Sequence, residues 1–192
     1  RIPPHRLVRL GLGDDAAILK MAGGPDCTFT VDLLTDGVDF NLHEADPRRV
    51  GRKALAVNLS DLAAMASRPL AGVVALALPR RGSLDLAVQL YEGMLPLAEQ
   101  FDLAIAGGDT NSWDGPLVVS VTLLGQVTDR GALRRAGAQP GDWILVANGG
   151  EGDCAMAPLN APIQLTSLRV AAFELAGIMP APTHSPTCCM AR

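Results

Sequence analysis

Four short acidic segments recur along the chain, each beside an apolar run, and together they could hold divalent cations. They are Gly-Asp-Asp at 13–15, Thr-Val-Asp at 30–32, Asn-Leu-Ser-Asp at 58–61 and Gly-Gly-Asp-Thr at 107–110. Carboxylates gathered in this number repel one another strongly. A fold that gathers them normally gathers Mg²⁺ and a polyphosphate with them, because hard cations take oxygen ligands. Nucleotide chemistry is therefore the leading hypothesis.

The last of these segments also suits phosphate binding. It directly follows an apolar run at 103–106, and its two glycines would let the backbone approach phosphate oxygens closely. Arg130, Arg134 and Arg135 come after the next long apolar run and are candidates to neutralise a triphosphate. No histidine has the spacing of a metal ligand, so none is assigned a metal or base role.

The elements that must position these segments alternate between strands and helices, which predicts an α/β or α+β fold. Asp46-Pro47 predicts an N-cap and a first helical position, opening a helix to about Met65 that carries Asp61. The nearly unbroken apolar run at 71–78 predicts a strand buried on both faces. The other predicted elements are strands at 17–19, 28–34, 103–106 and 116–126 and a helix from Ser83 through Ala98.

Tyr91 lies on that second, amphipathic helix. Its ring could stack on a nucleotide base, although a tyrosine in such a position ordinarily packs at the rim of the core.

Composition excludes several classes of protein. The 192 residues are 48% apolar and 19% charged, which is enough for a core. A net charge of −4 with scattered basic pairs argues against a nucleic-acid surface. The longest apolar stretch, 71–79, is far shorter than the ~20 residues that span a bilayer, and no signal-peptide core opens the chain. The expected location is the cytoplasm, where the four cysteines would be reduced thiols.

Several segments resemble one family in wording, order and spacing across residues 10–147. The family is thiamine-monophosphate kinase, of the aminoimidazole ribonucleotide synthetase-like ATP-binding superfamily. The matching segments are Gly-Leu-Gly-Asp-Asp-Ala-Ala at 11–17, Thr-Val-Asp-Leu-Leu-Thr-Asp-Gly-Val-Asp-Phe at 30–40, Lys-Ala-Leu-Ala-Val-Asn-Leu-Ser-Asp-Leu-Ala-Ala-Met-Ala at 53–66, Gly-Gly-Asp-Thr at 107–110 and Arg-Ala-Gly-Ala-Gln-Pro-Gly-Asp at 135–142.

The resemblance implies an N-terminal ATP- and Mg²⁺-binding domain at 1–147 and a truncated or aberrant start of a C-terminal domain at 148–192. It implies a homodimer that transfers the γ-phosphoryl group of ATP directly to thiamine monophosphate, giving thiamine diphosphate. In such a transfer, Mg²⁺ and positioning do most of the work, so no catalytic nucleophile or base is assigned.

The resemblance also implies roles for individual residues. Those expected to hold Mg²⁺ are Asp15, Thr30, Asp32, Asp61 and Asp109. Those expected to contact ATP are Tyr91, Gly108, Asp109 and Arg135.

The chain departs from the family pattern in three places. Asp39 stands where the family typically has a substrate-side histidine; a carboxylate there would repel an anionic substrate unless a cation intervenes, and His43 is a candidate substitute. The segment 147–155 only echoes the family's glycine-rich loop. The family's C-terminal motifs are missing from the tail, and the start at Arg1 rather than Met indicates a fragment or a trimmed chain.

Three other readings stay open. The chain could be a non-catalytic ATP-binding or dimerisation module, another ATP-using member of the same superfamily, or a plain structural domain whose aspartates cap turns.

Overall fold

The computed structural model describes residues 5–81 and 83–137, which form one mixed sheet with two helices packed against it. The described elements are β1 (Val8–Leu10), β2 (Ala17–Leu19), β3 (Cys27–Thr35), α1 (Pro47–Ala64), β4 (Ser67–Pro79), α2 (Ser83–Gln100), β5 (Ala104–Trp113), β6 (Val118–Val127) and a 3-10 turn at Arg135–Gly137. The order of the strands across the sheet is β1-β2-β3-β6-β4-β5. Strands β4 and β5 run parallel, and the other neighbours in this order pair antiparallel.

The predicted fold class is confirmed, and the elements with strong local signals lie where the sequence places them. Helix α1 begins at Pro47, and the Asp46 side chain caps it by accepting a hydrogen bond from the backbone N–H of Arg48 at 2.9 Å. Its apolar stripe, which includes Val50, Leu55 and Leu62, is buried against the sheet and α2.

The prediction that 71–78 is buried on both faces is wrong. Along β4, burial alternates: Val74, Leu76 and Leu78 are buried, whereas Val73 is 46% exposed. Both helices cover the same side of the sheet, so only every second residue of β4 meets them. We call the other side of the sheet the open face.

The prediction of a short buried strand at 103–106 is also wrong. Strand β5 continues from Ala104 to Trp113, so Gly-Gly-Asp-Thr lies within a strand and not in a loop that follows one. Its residues are mostly exposed because β5 is at the edge of the sheet and pairs only with β4. The pairing shifts register between Gly72 and Val73, opposite Gly107, whose φ is +155°.

The predicted boundary at 147, the segment 147–155 and the tail 148–192 lie outside the described residues, so the domain division stays a prediction. Among the residues described, neither helix has the length and apolar character needed to cross a membrane.

The two helices approach each other closely at two glycines. A Cβ on Gly51 would lie 2.0 Å from the carbonyl oxygen of Leu90, and a Cβ on Gly93 would lie 1.8 Å from that of Arg48. Backbone atoms cannot yield as a side-chain tip can, so these positions fix the spacing of α1 and α2. The spacing in turn holds α1 against β3.

Gly93→Ala is expected to destabilise the protein by about 1–3 kcal/mol, because the helices must separate to admit the methyl group. This outcome opposes the gain of ~1 kcal/mol that Gly→Ala gives inside an unpacked helix. Urea unfolding of the full chain would measure it. Glu99→Ala, at an exposed position of the same helix, is the control and should stay within ~0.5 kcal/mol of the parent. Equal or greater stability of the Gly93→Ala protein would contradict the close packing.

Candidate functional site

A hydrogen bond between β3 and α1 joins two of the acidic segments. The hydroxyl Oγ1 of Thr30 donates to Oδ2 of Asp61 at 2.7 Å. Thr30 is on the helix-facing side of β3, as are Thr28 and Leu34, because alternate strand residues point the same way. Asp61 is in the last turn but one of α1, without any break in the helix.

The first acidic segment reaches the same place through Arg135. The guanidinium group of Arg135 forms an ion pair with Asp15, and the backbone N–H of Arg135 donates to Oδ2 of Asp14 at 3.2 Å. The 3-10 turn at Arg135–Gly137 is thus bound to the loop before β2. Sequence reasoning singled out Asp15 and Arg135 but not their pairing, and it gave Asp14 no role of its own.

The electrostatics of these residues show that the three segments share one environment. Burial raises the pKa of Asp61 to about 6; the Thr30 hydrogen bond lowers it, Asp32 and Asp15 raise it further, and Arg135 lowers it. The pKa of Asp32 is also raised, first by burial and then by the charge of Asp39. We call Asp15, Thr30, Asp32 and Asp61 the acidic seam, since they lie where β3 meets α1.

The Asn-Leu-Ser-Asp segment does not direct its polar side chains to one site. Asp61 joins the acidic seam, and Ser60 is exposed. Asn58 is fully buried and donates from Nδ2 to the carbonyl oxygen of Ala54 at 3.1 Å. Within the described protein, its Oδ1 has no hydrogen-bond partner. Ser60 lies about 200° around the helix from Asn58, and Asp61 is at the boundary between the buried and exposed sides.

Asp109 is not brought to the acidic seam within one copy of the chain. Asp109 pairs with Ala75, which pairs with Ser120, which pairs with Leu33, so these four residues share the open face. Asp32 pairs with Val121 and lies on the helix-covered face. Strands β5 and β3 are three strand spacings apart, about 14 Å. Asp109 lines a shallow cavity of ≈ 330 Å³ on the open face with Gly108, Ser120 and Thr122.

Two further predicted residues have structural roles in the described chain. Tyr91 packs against the core cluster and is partly buried, in keeping with a tyrosine at the rim of the core. The Asp39 carboxylate accepts a hydrogen bond from the backbone N–H of Thr35 at 2.7 Å, closing the turn after β3. The Nζ of Lys53, a residue that sequence reasoning did not single out, donates to the Asp39 carbonyl oxygen at 2.6 Å.

The acidic seam suits a hard cation by the chemistry of its donors. Carboxylate and hydroxyl oxygens are the protein ligands that Mg²⁺ takes. Burial first, and neighbouring carboxylates second, raise the pKa values of Asp32 and Asp61, so a bound cation would favour their ionised forms. Among the described residues, no three acidic, histidine or cysteine side chains already stand close enough together to enclose an ion. The residues therefore fit a cation that keeps water or phosphate oxygens among its ligands.

The described fold, with its sheet and two helices, belongs to a known class of domain. Residues 13–127, more than half of the chain, match AIR synthase related protein, N-terminal domain. The chain belongs to this family.

Its similarity to thiamine-monophosphate kinases is confirmed. The curated thiamine-monophosphate kinase of Rhodopirellula baltica is 42% identical over 149 residues, which cover 72% of this chain and 46% of that protein. The crystal structure of the thiamine-monophosphate kinase of Stenotrophomonas maltophilia K279a is 45% identical, with a TM-score of 0.60, covering 74% of this chain and 44% of that one.

A third relative was solved with ligands. The structure of AaThiL complexed with AMPPCP and TMP is 29% identical, with a TM-score of 0.66, and the match covers 71% of this chain and 43% of that one. The chain thus spans about half the length of the relatives that it matches.

Asp61→Asn is expected to stabilise the metal-free protein at pH 7 by about 1–2 kcal/mol. This is less than the raised pKa alone would give, because Asp61 is only partly buried and solvent screens its charge. The folded-state pKa of about 6 exceeds the ordinary aspartate value of 3.8, so ionisation of Asp61 lowers the free energy of unfolding. Stability of the parent should therefore fall as pH rises from about 4 to about 6 and then level off. Asn keeps an oxygen that can accept from Thr30.

Unfolding in urea between pH 4 and 8 with a chelator present would measure this difference. The gap between the variant and the parent should close below pH 4. Asp129→Asn removes an exposed carboxylate after β6 and is the matched control. A variant less stable than the parent at pH 7 would show that the Asp61 charge is well compensated in the fold.

Proposed function

We propose that this chain supplies the Mg²⁺- and ATP-binding half of an enzyme that phosphorylates thiamine monophosphate to thiamine diphosphate. The observation that carries the proposal is the meeting of three acidic segments at the acidic seam, in a chain similar to thiamine-monophosphate kinases over most of its described length. The complex of AaThiL with AMPPCP and TMP supports both proposed substrates.

The roles of the residues follow from their positions. Asp15, Thr30, Asp32 and Asp61 would hold Mg²⁺, which when bound would neutralise charge on the polyphosphate. With its pKa of about 6, Asp61 is mainly ionised at pH 7 and therefore able to act as a ligand. Arg135 already contacts Asp15 at this place and could exchange that partner for a phosphate oxygen. Direct transfer needs no covalent intermediate on the protein.

Asp109, Gly108 and Tyr91 stay predictions as ATP or metal contacts. Gly108 and Asp109 lie beside the cavity on the open face, away from the acidic seam of the same copy. Asp39 stays a prediction as a substrate contact, and the cytoplasmic location is likewise a proposal.

One alternative stays open beside the kinase. The chain could bind ATP and Mg²⁺ without turning over thiamine monophosphate. Such a non-catalytic module would share every feature of the acidic seam, so product formation alone separates the two functions.

Saturating ATP with Mg²⁺ is expected to stabilise the full chain, by about 2.7 kcal/mol at a hundred times Kd. Thermal unfolding with and without the ligands would measure the stabilisation, and thiamine diphosphate formation would be assayed on the same sample. Asp32→Asn and Asp61→Asn should each lose most of it, because a neutral amide is a weaker Mg²⁺ ligand than a carboxylate.

The Asp129→Asn control should respond to the ligands as the parent does. A shift with product would support the kinase, and a shift without product the non-catalytic module. Normal stabilisation in both seam variants, or none in the parent, would refute nucleotide binding at the acidic seam.

A second copy of the chain is the proposed partner of the open face. Val31 and Leu33 on β3 are each 62% exposed, and Val31 shares a row with Thr122 and Val73 across three strands. Exposed apolar side chains grouped on one face of a sheet suit an interaction site. This supports the homodimer that the resemblance implies.

Val31→Lys is expected to shift the protein from dimer to monomer in sedimentation velocity at micromolar concentration, because the ammonium group would be buried in the interface. Leu84→Lys, at a 75% exposed position on α2, is the control and should leave the mass unchanged. A monomeric parent, or an unaltered dimer in the Val31→Lys protein, would contradict this interface.

A further inference from the structure

The turn after β3 holds Asp39 in a fixed arrangement. Its carboxylate accepts from the backbone N–H of Thr35, and its own backbone N–H donates to the Thr35 carbonyl oxygen at 2.9 Å. Gly37, with φ of +85°, allows the chain to reverse within this turn. The carboxylate is thus directed to the backbone, which partly satisfies its charge.

The carbonyl oxygen of the same residue accepts a hydrogen bond from a lysine. Lys53 projects from the second turn of α1, is partly buried, and donates from Nζ to this oxygen at 2.6 Å. An ammonium group has three N–H donors, and this bond uses one of them. Because this bond goes to the backbone carbonyl oxygen, it places the positive charge of Lys53 beside Asp39 without pairing it with the Asp39 carboxylate.

Both this pair and the acidic seam connect α1 with β3 or with the turn that follows β3. Thr30 contacts Asp61 toward the end of α1, and Asp39 contacts Lys53 near its beginning, so the strand and helix run past each other in opposite directions. Eight residues of helix separate Lys53 from Asp61, a rise of about 12 Å. Asp32 follows Thr30 by two residues on β3 and precedes the turn that holds Asp39, so it is between Thr30 and Asp39 along the chain.

We infer that Lys53 binds the phosphate of the acceptor substrate and so supplies the positive charge that an anionic substrate needs beside Asp39. The inference rests on the proposed function, in which the acidic seam holds the ATP phosphates and Mg²⁺. The acceptor phosphate would then lie next to the acidic seam, because the phosphoryl group passes directly between the two substrates. Among the described residues, Lys53 is a cation held beside Asp39, about two turns of α1 from Asp61.

Lys53 suits this role better than His43. His43 is exposed, and its backbone N–H donates to the side chain of Asn41 at 3.1 Å, whereas Lys53 is anchored on a helix and held by a backbone oxygen. A lysine is a compact charge that binds phosphate well. Asp39 remains a neighbour of unfavourable sign, so it should weaken acceptor binding while its carbonyl positions the lysine.

Calorimetric titration of the full chain with thiamine monophosphate and with thiamine, in the presence of ADP and Mg²⁺, would test this role. Lys53→Met is expected to weaken thiamine monophosphate binding about tenfold, equivalent to about 1.4 kcal/mol. Thiamine binding and the stabilisation by ATP with Mg²⁺ should not change. Lys53→Arg should retain most of the affinity for thiamine monophosphate, since it keeps the charge.

Two further variants test whether the loss of binding is specific to Lys53 and whether the charge of Asp39 opposes binding. Arg48→Met removes one positive charge from the same helix, but on the side that pairs with Glu92 of α2 at 2.6 Å, and should bind as the parent does. Asp39→Asn keeps an oxygen for the Thr35 N–H and removes the repulsive charge, so it should tighten thiamine monophosphate binding by about two- to fivefold. A misfolded variant cannot produce such a gain.

Several outcomes would overturn the role of Lys53. The first is parent-like binding of thiamine monophosphate by the Lys53→Met protein. The second is an equal loss of affinity for thiamine and for thiamine monophosphate in that variant. The third is a parent that binds ATP with Mg²⁺ but binds thiamine monophosphate no more tightly than thiamine. A parent that neither responds to ATP with Mg²⁺ nor binds thiamine monophosphate would refute the proposed function itself.

Discussion

The ionised carboxylate of Asp61, withdrawn from water where α1 packs against β3, is the constraint on which the site depends. A buried charge needs partners, and the chain offers the Thr30 hydroxyl and the more distant Arg135 while adding repulsion from Asp32 and Asp15. Burial is the first cause of the raised pKa of Asp61, and the carboxylates of Asp32 and Asp15 raise it further. A divalent cation bound at the acidic seam would offset both effects.

The packing of the helices maintains that arrangement. Gly51 and Gly93 let α1 and α2 meet backbone to backbone, and the buried face of α1 rests on the sheet through Leu55 and Leu62. Held from two sides, α1 cannot turn to carry Asp61 into solvent. Apolar contacts elsewhere thus offset the cost of ionising Asp61 in the folded protein. Such an offset is common where a fold contains a binding site.

Local sequence signals predicted much of the fold, and the features that they missed depend on contacts between distant parts of the chain. Asp46-Pro47 marks the start of α1 because capping involves only neighbouring residues. Val73 and β5 are exposed because of the order of the strands and because both helices pack on one face of the sheet. No local sequence pattern determines either feature. The same holds within the site: Thr30 and Asp61 are 31 residues apart, and Lys53 and Asp39 are 14 apart. The motifs identified the acidic residues but not their partners.

Register decides which predicted residues can act together. Asp109 pairs with Ala75, and a shift of one residue would turn it to the helix-covered face on which Asp32 lies. As paired, a cation at the acidic seam is separated from Asp109 of the same copy by the sheet itself. A shared cation would need Asp109 to come from a second copy seated on the open face. The metal set and the homodimer, which the resemblance implies separately, are thereby linked: Asp109 can join the metal set only if the chain associates.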